Sequence, residues 1–484
     1  MLLGNRLFLC NVAAALLCVA AIVLLASCGG SGGSGSPGGP NPAPMITSMN
    51  PYAATPGSDG FTLTVSGFGF VPSSMVQWNG SSRSTRFVST TVVQAQISAA
   101  DIASAGYGMV TVVNPLPGGG TSNVQVVTVS SLVKSITIVN QMANDIVWDP
   151  VNQVFYMTLP STAPAHANTV SVLDPITGNI TSSQAANSNP DVLAISDDSQ
   201  FLYAGLDGSG SVQRYALPAL SPDLSYSLGA NQFGPYYALD LQVAPGTPHT
   251  TAVTLGSPVT PPAQGGIVIY DDSTPRPTSA DQPPGDFDSL QWGADATALY
   301  ACDRDTTPAD FFTFTVNASG VVLDNDFIVL SAGGILRIHY DAATNLVYRD
   351  DGLVINPSNG LQPGTFVAPV QGAMTPDSTL NAAFFAGLTD NQLQDNQMTI
   401  ATFNLTQFTS INTLVVPNVV GYALRLIRWG TDGLAFLTTS GQVFLIEGSI
   451  VSVDPSQSEE GPRTEHPRGT SWAPTSPALP REKE

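Results

Sequence analysis

Glutamate is absent from residues 1–446, and the whole 484-residue chain holds only two lysines, Lys134 and Lys483. The first absence means that any carboxylate chemistry before Glu447 has to use aspartate alone. The second, with a net charge of −21, argues against nucleic acid, because a binding face needs clustered Lys and Arg to displace counterions. Cysteine is scarce as well. Cys10 and Cys18 lie in an N-terminal apolar run and Cys28 closes it, which leaves Cys302 with no partner for an intrachain disulfide. Cys302 stands at an expected strand end in "ALYACD" and reads as a buried structural thiol, not a nucleophile. His166, His249, His339 and His466 form no H-x-H or H-E-x-x-H spacing, so no zinc site is expected. No G-x-S-x-G elbow occurs. No catalytic residue, metal or cofactor is assigned.

What is present is apolar and turn-rich. Apolar residues make up 43 % of the chain and charged residues only 11 %, with 45 Gly and 38 Pro. That much apolar material can build large cores and excludes a disordered chain. Low charge with many Thr, Val, Ser and turn formers points to an all-β protein, and the acidity reads as solubility.

Residues 1–27 have a short start with Arg6 and then the run "LFLCNVAAALLCVAAIVLLAS". Its length approaches that of a membrane helix. Its terminal position, the small residues before Cys28 and the Gly/Ser/Pro flank fit an export signal instead. Leu25-Ala26-Ser27-Cys28 resembles the lipobox of bacterial lipoproteins. The resemblance implies cleavage before Cys28, lipidation of its sulfur and membrane attachment through that anchor. Gly29, where an Asp would retain the protein at the inner membrane, implies the outer membrane of a Gram-negative envelope. Acyl chains contribute about 0.8 kcal/mol per buried CH₂, so two or more hold firmly. Residues 28–44 read as a flexible tether that stiffens where Pro appears.

Residues 45–130 alternate apolar and polar in "FTLTVSG", "SMVQWNG", "VVQAQI", "GMVTVVN" and "VQVVTV". Turn residues separate these pieces at short intervals, as in a β-sandwich. Phe61, Leu63 and Val65 are expected to face inward from one strand, Val76 and Trp78 from another. Asn79-Gly80 suits a type I′ turn. The pieces "ITSMNP", "LTVSGFGF", "VQWNG" and "VTVVNPLPGGGTS" resemble an immunoglobulin-like IPT/TIG domain, which implies a spacer or binding role.

Residues 131–451 repeat one pattern: an apolar strand, a polar turn, and a strand with an aromatic or apolar anchor. Copies begin at Asp145, Val192, Leu241, Leu290, Leu336, Gly372 and Leu424, with anchors at Tyr156, Tyr203, Val253, Tyr300, Tyr348, Phe385 and Phe436. Further strands such as "NTVSVLDPITGNI" and "GQVFLIEGSIV" bring the unit to four strands at this period, which predicts a β-propeller of seven blades. "SITIVN", from Ser135, has no partner of its own and is expected to close the ring beside "GQVFLIE". The repeats, best in "VSVLDPITGNI", resemble the YVTN-type propellers of bacterial surface proteins. That resemblance implies adhesion, scaffolding or ligand binding, and a lactonase in some relatives.

Arg337 and His339 share a strand face in "LRIHYD" and are the candidate ligand-binding pair of the channel. Asp341 or Asp145 would be the carboxylate of a lactonase-type site. Asp271-Asp272, "DNDF" from Asp324 and "DNQLQDNQ" from Asp390 lack calcium-loop spacing and read as solvated turns. Residues 452–484, rich in Glu and Pro, read as a disordered tail. The expected protein is a non-catalytic envelope lipoprotein whose propeller binds a protein or glycan. The alternatives are a channel-centred hydrolase and a purely structural envelope protein.

Overall fold

The computed structural model describes residues 39–186, 188–257, 265–280, 287–303, 309–329, 337–367, 369–388 and 396–452. The leader, Cys28, most of the "DNQLQDNQ" segment and nearly all of the C-terminal tail lie outside these. Among the described residues no helix is long and apolar enough to cross a membrane.

Alternation along the first strands buries one side of each, and two sheets face each other across the result. One sheet runs in the order Met45–Asn50, Phe61–Phe68, Val92–Ile97, Thr85–Ser89. The other is built on Gly106–Asn114, flanked by Gln125–Val129 and Met75–Trp78. Leu63, Val65, Val93 and Ala95 meet Val76, Trp78, Val110, Val112 and Val127, all of them buried. Phe61 lies at the edge of this core, half buried. Gly108 is where Trp78 needs room: a Cβ there would sit 2.0 Å from the indole. Asn79 and Gly80 both take positive φ (50° and 77°), as a type I′ hairpin turn demands. Part of the expected tether is fastened to this unit. Asn41 bridges to Gly118 and donates its Nδ2–H to the Pro115 carbonyl at 2.7 Å, and Asn114 donates to the Pro42 carbonyl.

Beyond residue 134 the described residues form seven four-stranded antiparallel sheets. They are called ring sheets 1 to 7 here. Their innermost strands are Asp145–Asp149, Pro190–Ile195, Tyr237–Ala244, Ser289–Trp292, Ile338–Asp341, Val370–Asp377 and Ala423–Trp429. Each touches the next in chain order, and the seventh touches the first, so the sheets close into a β-propeller. Neighbouring sheets pack face to face through side chains on both surfaces. The expected anchors Tyr156, Tyr203, Val253, Tyr348, Phe385 and Phe436 are buried on the second strands, while Tyr300 is half buried. Cys302 is fully buried.

The seam is made by a strand from before the first copy. Ser135–Val139 pairs antiparallel with Val443–Glu447, from Ser135 opposite Glu447 to Val139 opposite Val443. It thereby covers the outer edge of ring sheet 7. One apolar cluster runs from the two-sheet unit through Val133 and Ile136 to Val419, Ile450 and Val451. Asn418 clamps the same junction. Its side chain accepts the Val126 N–H at 3.0 Å and donates to the Val126 carbonyl at 2.8 Å.

Because Ile136 is 5 % exposed and lies on the seam strand, Ile136→Ala is expected to cost about 3 kcal/mol. Denaturant unfolding measures the cost. Limited proteolysis should cut first around residues 130–144 in the variant and not in the wild type.

Candidate binding site in the central channel

Charged side chains gather on the innermost strands, whose free edges face the channel. Aspartate recurs on three of them in succession at about the repeat period: Asp145 is the first residue of its strand, Asp191 the second and Asp240 the fourth. Two of these carboxylates reach across to the next sheet. Asp145 Oδ2 accepts the Leu193 N–H at 3.0 Å, and Asp240 Oδ2 accepts the Leu290 N–H at 2.8 Å. Their other oxygens accept their own following amides, Ile146 and Leu241, each at 2.9 Å. Asp350, just past the second strand of ring sheet 5, does the same work. It accepts Met374 N–H from ring sheet 6 and Arg337 N–H from its own sheet, both at 2.8 Å, and holds His339 Nε2 at 3.0 Å. Ser289 Oγ accepts the Ile338 N–H at 3.3 Å in the same manner. The carboxylates thus satisfy backbone donors at three junctions, between ring sheets 1 and 2, 3 and 4, and 5 and 6.

Arg425, on the innermost strand of ring sheet 7, grips Asp145 with two bonds of 2.7 Å, Nε to Oδ1 and Nη2 to Oδ2. Burial would raise the Asp145 carboxyl, but the Arg425 charge and hydrogen bonds hold it below the usual carboxylate range. The same pairing keeps Arg425 charged against its own burial. This fork links the last ring sheet to the first across the seam.

Arg337 and His339 both line one cavity of about 410 Å³, with Asp350, Ile146, Ile195 and Met374 among its walls. The structure therefore brings the two sequence candidates together. They differ in what they touch. His339 is held by Asp350, whereas the Arg337 guanidinium makes no hydrogen bond to any described residue, and its nearest acid oxygen is Asp240 Oδ1 at 3.7 Å. Burial, with the Arg425 charge next, lowers the Arg337 guanidinium below its ordinary value.

Of the two candidate carboxylates, Asp145 is at the channel and Asp341 is not. Asp341 caps its own strand turn, accepting Thr344 N–H and Oγ1–H at 2.8 Å each, and is no wall of the cavity. The aspartates read as solvated turns are in part ion-paired. Asp271 binds Arg276, and Asp272 holds His249 Nδ1 at 2.8 Å and also pairs with Arg214. Asp324 accepts Thr315 Oγ1–H at 2.8 Å.

Sequence reasoning missed Asp191, Asp207, Asp240, Asp350 and Arg425. A signal existed: starting the second and third copies one residue earlier puts Asp191 and Asp240 in column with Asp145. Asp207 follows the second strand of ring sheet 2 and lies close enough to Asp191 for each carboxyl to act on the other. Burial, with the Asp145 charge next, raises the Asp191 carboxyl; burial, with the Asp191 charge next, raises Asp207. The pair holds a proton at pH values where ordinary carboxylates have lost theirs.

No protein-family model matches this chain, and no curated protein matches it by sequence. Solved structures match part of it. Hydrazine synthase from Kuenenia stuttgartiensis is 11 % identical with a TM-score of 0.48, covering 64 % of this chain and 96 % of that one. The Cps50 (Swd1) β-propeller domain of Myceliophteria thermophila is 12 % identical with a TM-score of 0.46, covering 64 % and 98 %. A chain of the mitotic checkpoint complex is 13 % identical with a TM-score of 0.49, covering 66 % and 92 %. At such identities the propeller assignment stands on this chain's own sheet order and inner-strand contacts.

Two outcomes follow. Arg425→Ala strands Asp145 as a buried, unpaired charge and is expected to cost about 3–5 kcal/mol in denaturant unfolding. The Asp191–Asp207 pair sets a pH dependence of the opposite sign to a salt-bridged carboxylate. The folded state binds protons that the unfolded chain releases, so the pair's contribution is full below the ordinary carboxylate range. It is lost as pH rises toward neutrality. Asp207→Asn should flatten the melting-temperature profile between pH 5 and pH 8 and raise the pH 8 value by on the order of 2 °C.

Proposed function

We propose that this chain is an exported envelope lipoprotein. In this reading Cys28 anchors it to the outer membrane, an Ig-like module of IPT/TIG type over residues 45–130 is the spacer, and a seven-bladed, YVTN-type propeller over residues 131–451 is a non-catalytic binding scaffold for an envelope protein or glycan. The observation that carries the scaffold reading is the use made of the channel carboxylates. Asp145, Asp240 and Asp350 are committed to backbone amides of adjoining sheets, and Arg425 is committed to Asp145. Groups held in this way stiffen the ring instead of standing free to move protons. A rigid ring with a charged, concave channel suits recognition. The two-sheet unit supports a spacer role because its apolar core runs on into the ring.

Mass spectrometry of the mature N-terminus tests the anchor. A diacylglyceryl-modified Cys28 at the first position is expected, and Cys28→Ser should move the protein out of the membrane fraction. An unmodified cysteine behind an intact leader would remove this part of the reading. Turnover of a lactone panel tests the rest. No hydrolysis is expected, whereas turnover lost on Arg337→Gln would replace the scaffold with a channel-centred hydrolase.

A further inference from the structure

Among the described charged side chains that meet at the channel, one guanidinium is left over. Arg425 spends its fork on Asp145. Asp240 and Asp350 have both oxygens engaged by backbone amides. Arg337 lies among these groups with its side chain 22 % exposed, 3.7 Å from Asp240 Oδ1, and with no hydrogen bond to a described residue. A guanidinium carries five N–H donors in a planar fork, and leaving them unmatched in a confined site is costly. Arg425, also in the channel, repels it further. A structural arginine would have been given a partner, as Arg425 was.

The cavity that Arg337 borders tells which partner is missing. Its volume is about 410 Å³, the size of a small-molecule site. The walls beside Arg337 and His339 include Ile146, Ile195, Met374 and Leu426, which suit an apolar body. The fork itself matches a carboxylate in a bidentate pair. A doubly charged phosphate fits less well, because Asp145, Asp240 and Asp350 all surround Arg337 closely enough to act on its charge. We infer that the channel binds a small organic monocarboxylate, its carboxylate paired with the Arg337 guanidinium and its apolar part lying along Ile146, Ile195 and Met374. The inference rests on the propeller being a binding module and not on the lipid anchor.

Isothermal titration of the full-length protein in detergent micelles tests it, with phenylacetate and hexanoate as probes. Phenylacetamide serves as the uncharged control, and a short peptide ending in Phe distinguishes a partner's C-terminal carboxylate from a free acid. The acids are expected to bind and the amide to bind at least tenfold more weakly. Arg337→Gln should abolish acid binding, and Arg337→Lys, which keeps the charge and loses the fork, should weaken it at least tenfold. Peptide binding that exceeds binding of the free acids would overturn the small-ligand assignment.

A second readout separates a ligand anchor from a structural arginine. With the Arg337 donors spent on no described residue, Arg337→Gln should leave the melting temperature of the ligand-free protein unchanged or raise it. A clear fall would show that Arg337 supports the fold and would overturn the inference. So would equal acid binding by wild type and Arg337→Gln, or no acid binding by the wild type. In that last case the scaffold reading still stands on the lactone panel and the anchor on the Cys28 mass, so the two can fail separately.

Discussion

A circle of sheets exists only if its last member meets its first. An open arc would expose the face of one sheet, the face of another, and a bare row of backbone donors at the seam. Here the junction is secured at two radii. At the rim, Ser135–Val139 adds to the outer edge of ring sheet 7, so that sheet is built from both ends of the repeat region. At the hub, Arg425 of ring sheet 7 grips Asp145 of ring sheet 1. The first joins backbone to backbone and the second charge to charge. Both join residues about 280 or more positions apart, which makes closure a highly non-local contact of the fold.

The hub residues answer a local problem as well. Amides on the free edge of an inner strand have no ladder partner. Aspartate is short enough to keep its carboxylate against the strand and has two oxygens to share between its own chain and the next. Asp145 and Asp240 divide themselves in this way, and Asp350 reaches the same target from the neighbouring strand. A glutamate would carry its carboxylate one methylene further out, which gives a physical reason for an acid set in the ring that is almost all Asp.

Much of this was legible in the residues. Period-2 alternation placed Leu63, Val65, Val76 and Trp78 in one core, and Asn79-Gly80 marked its turn correctly. Recurring aromatics located the second strands, and the partnerless "SITIVN" announced the seam. The channel was only half visible. Arg337 and His339 follow from strand parity, but parity says nothing about which partner each finds across the ring. Asp341 and Asp145 look alike as sequence, yet one caps a turn and the other meets an arginine 280 positions away. The Asp191–Asp207 pair depends on a strand end folding back beside a strand start, which no spacing rule encodes. Asn41 and Pro42 looked like free tether because their anchorage is to backbone carbonyls and an Asn side chain on a loop distant in sequence.

The junction between the two-sheet unit and the ring has a mechanical consequence. Only residues 130–134 separate Gln125–Val129 from the seam strand Ser135–Val139, and the apolar cluster is continuous across that step. The connection is therefore a stiff arm and not a hinge. Any tension applied at the amino-terminal end passes through the strand that locks the circle, with Asn418 and Val126 as the brace that shares the load. The element that closes the wheel is also its axle mount.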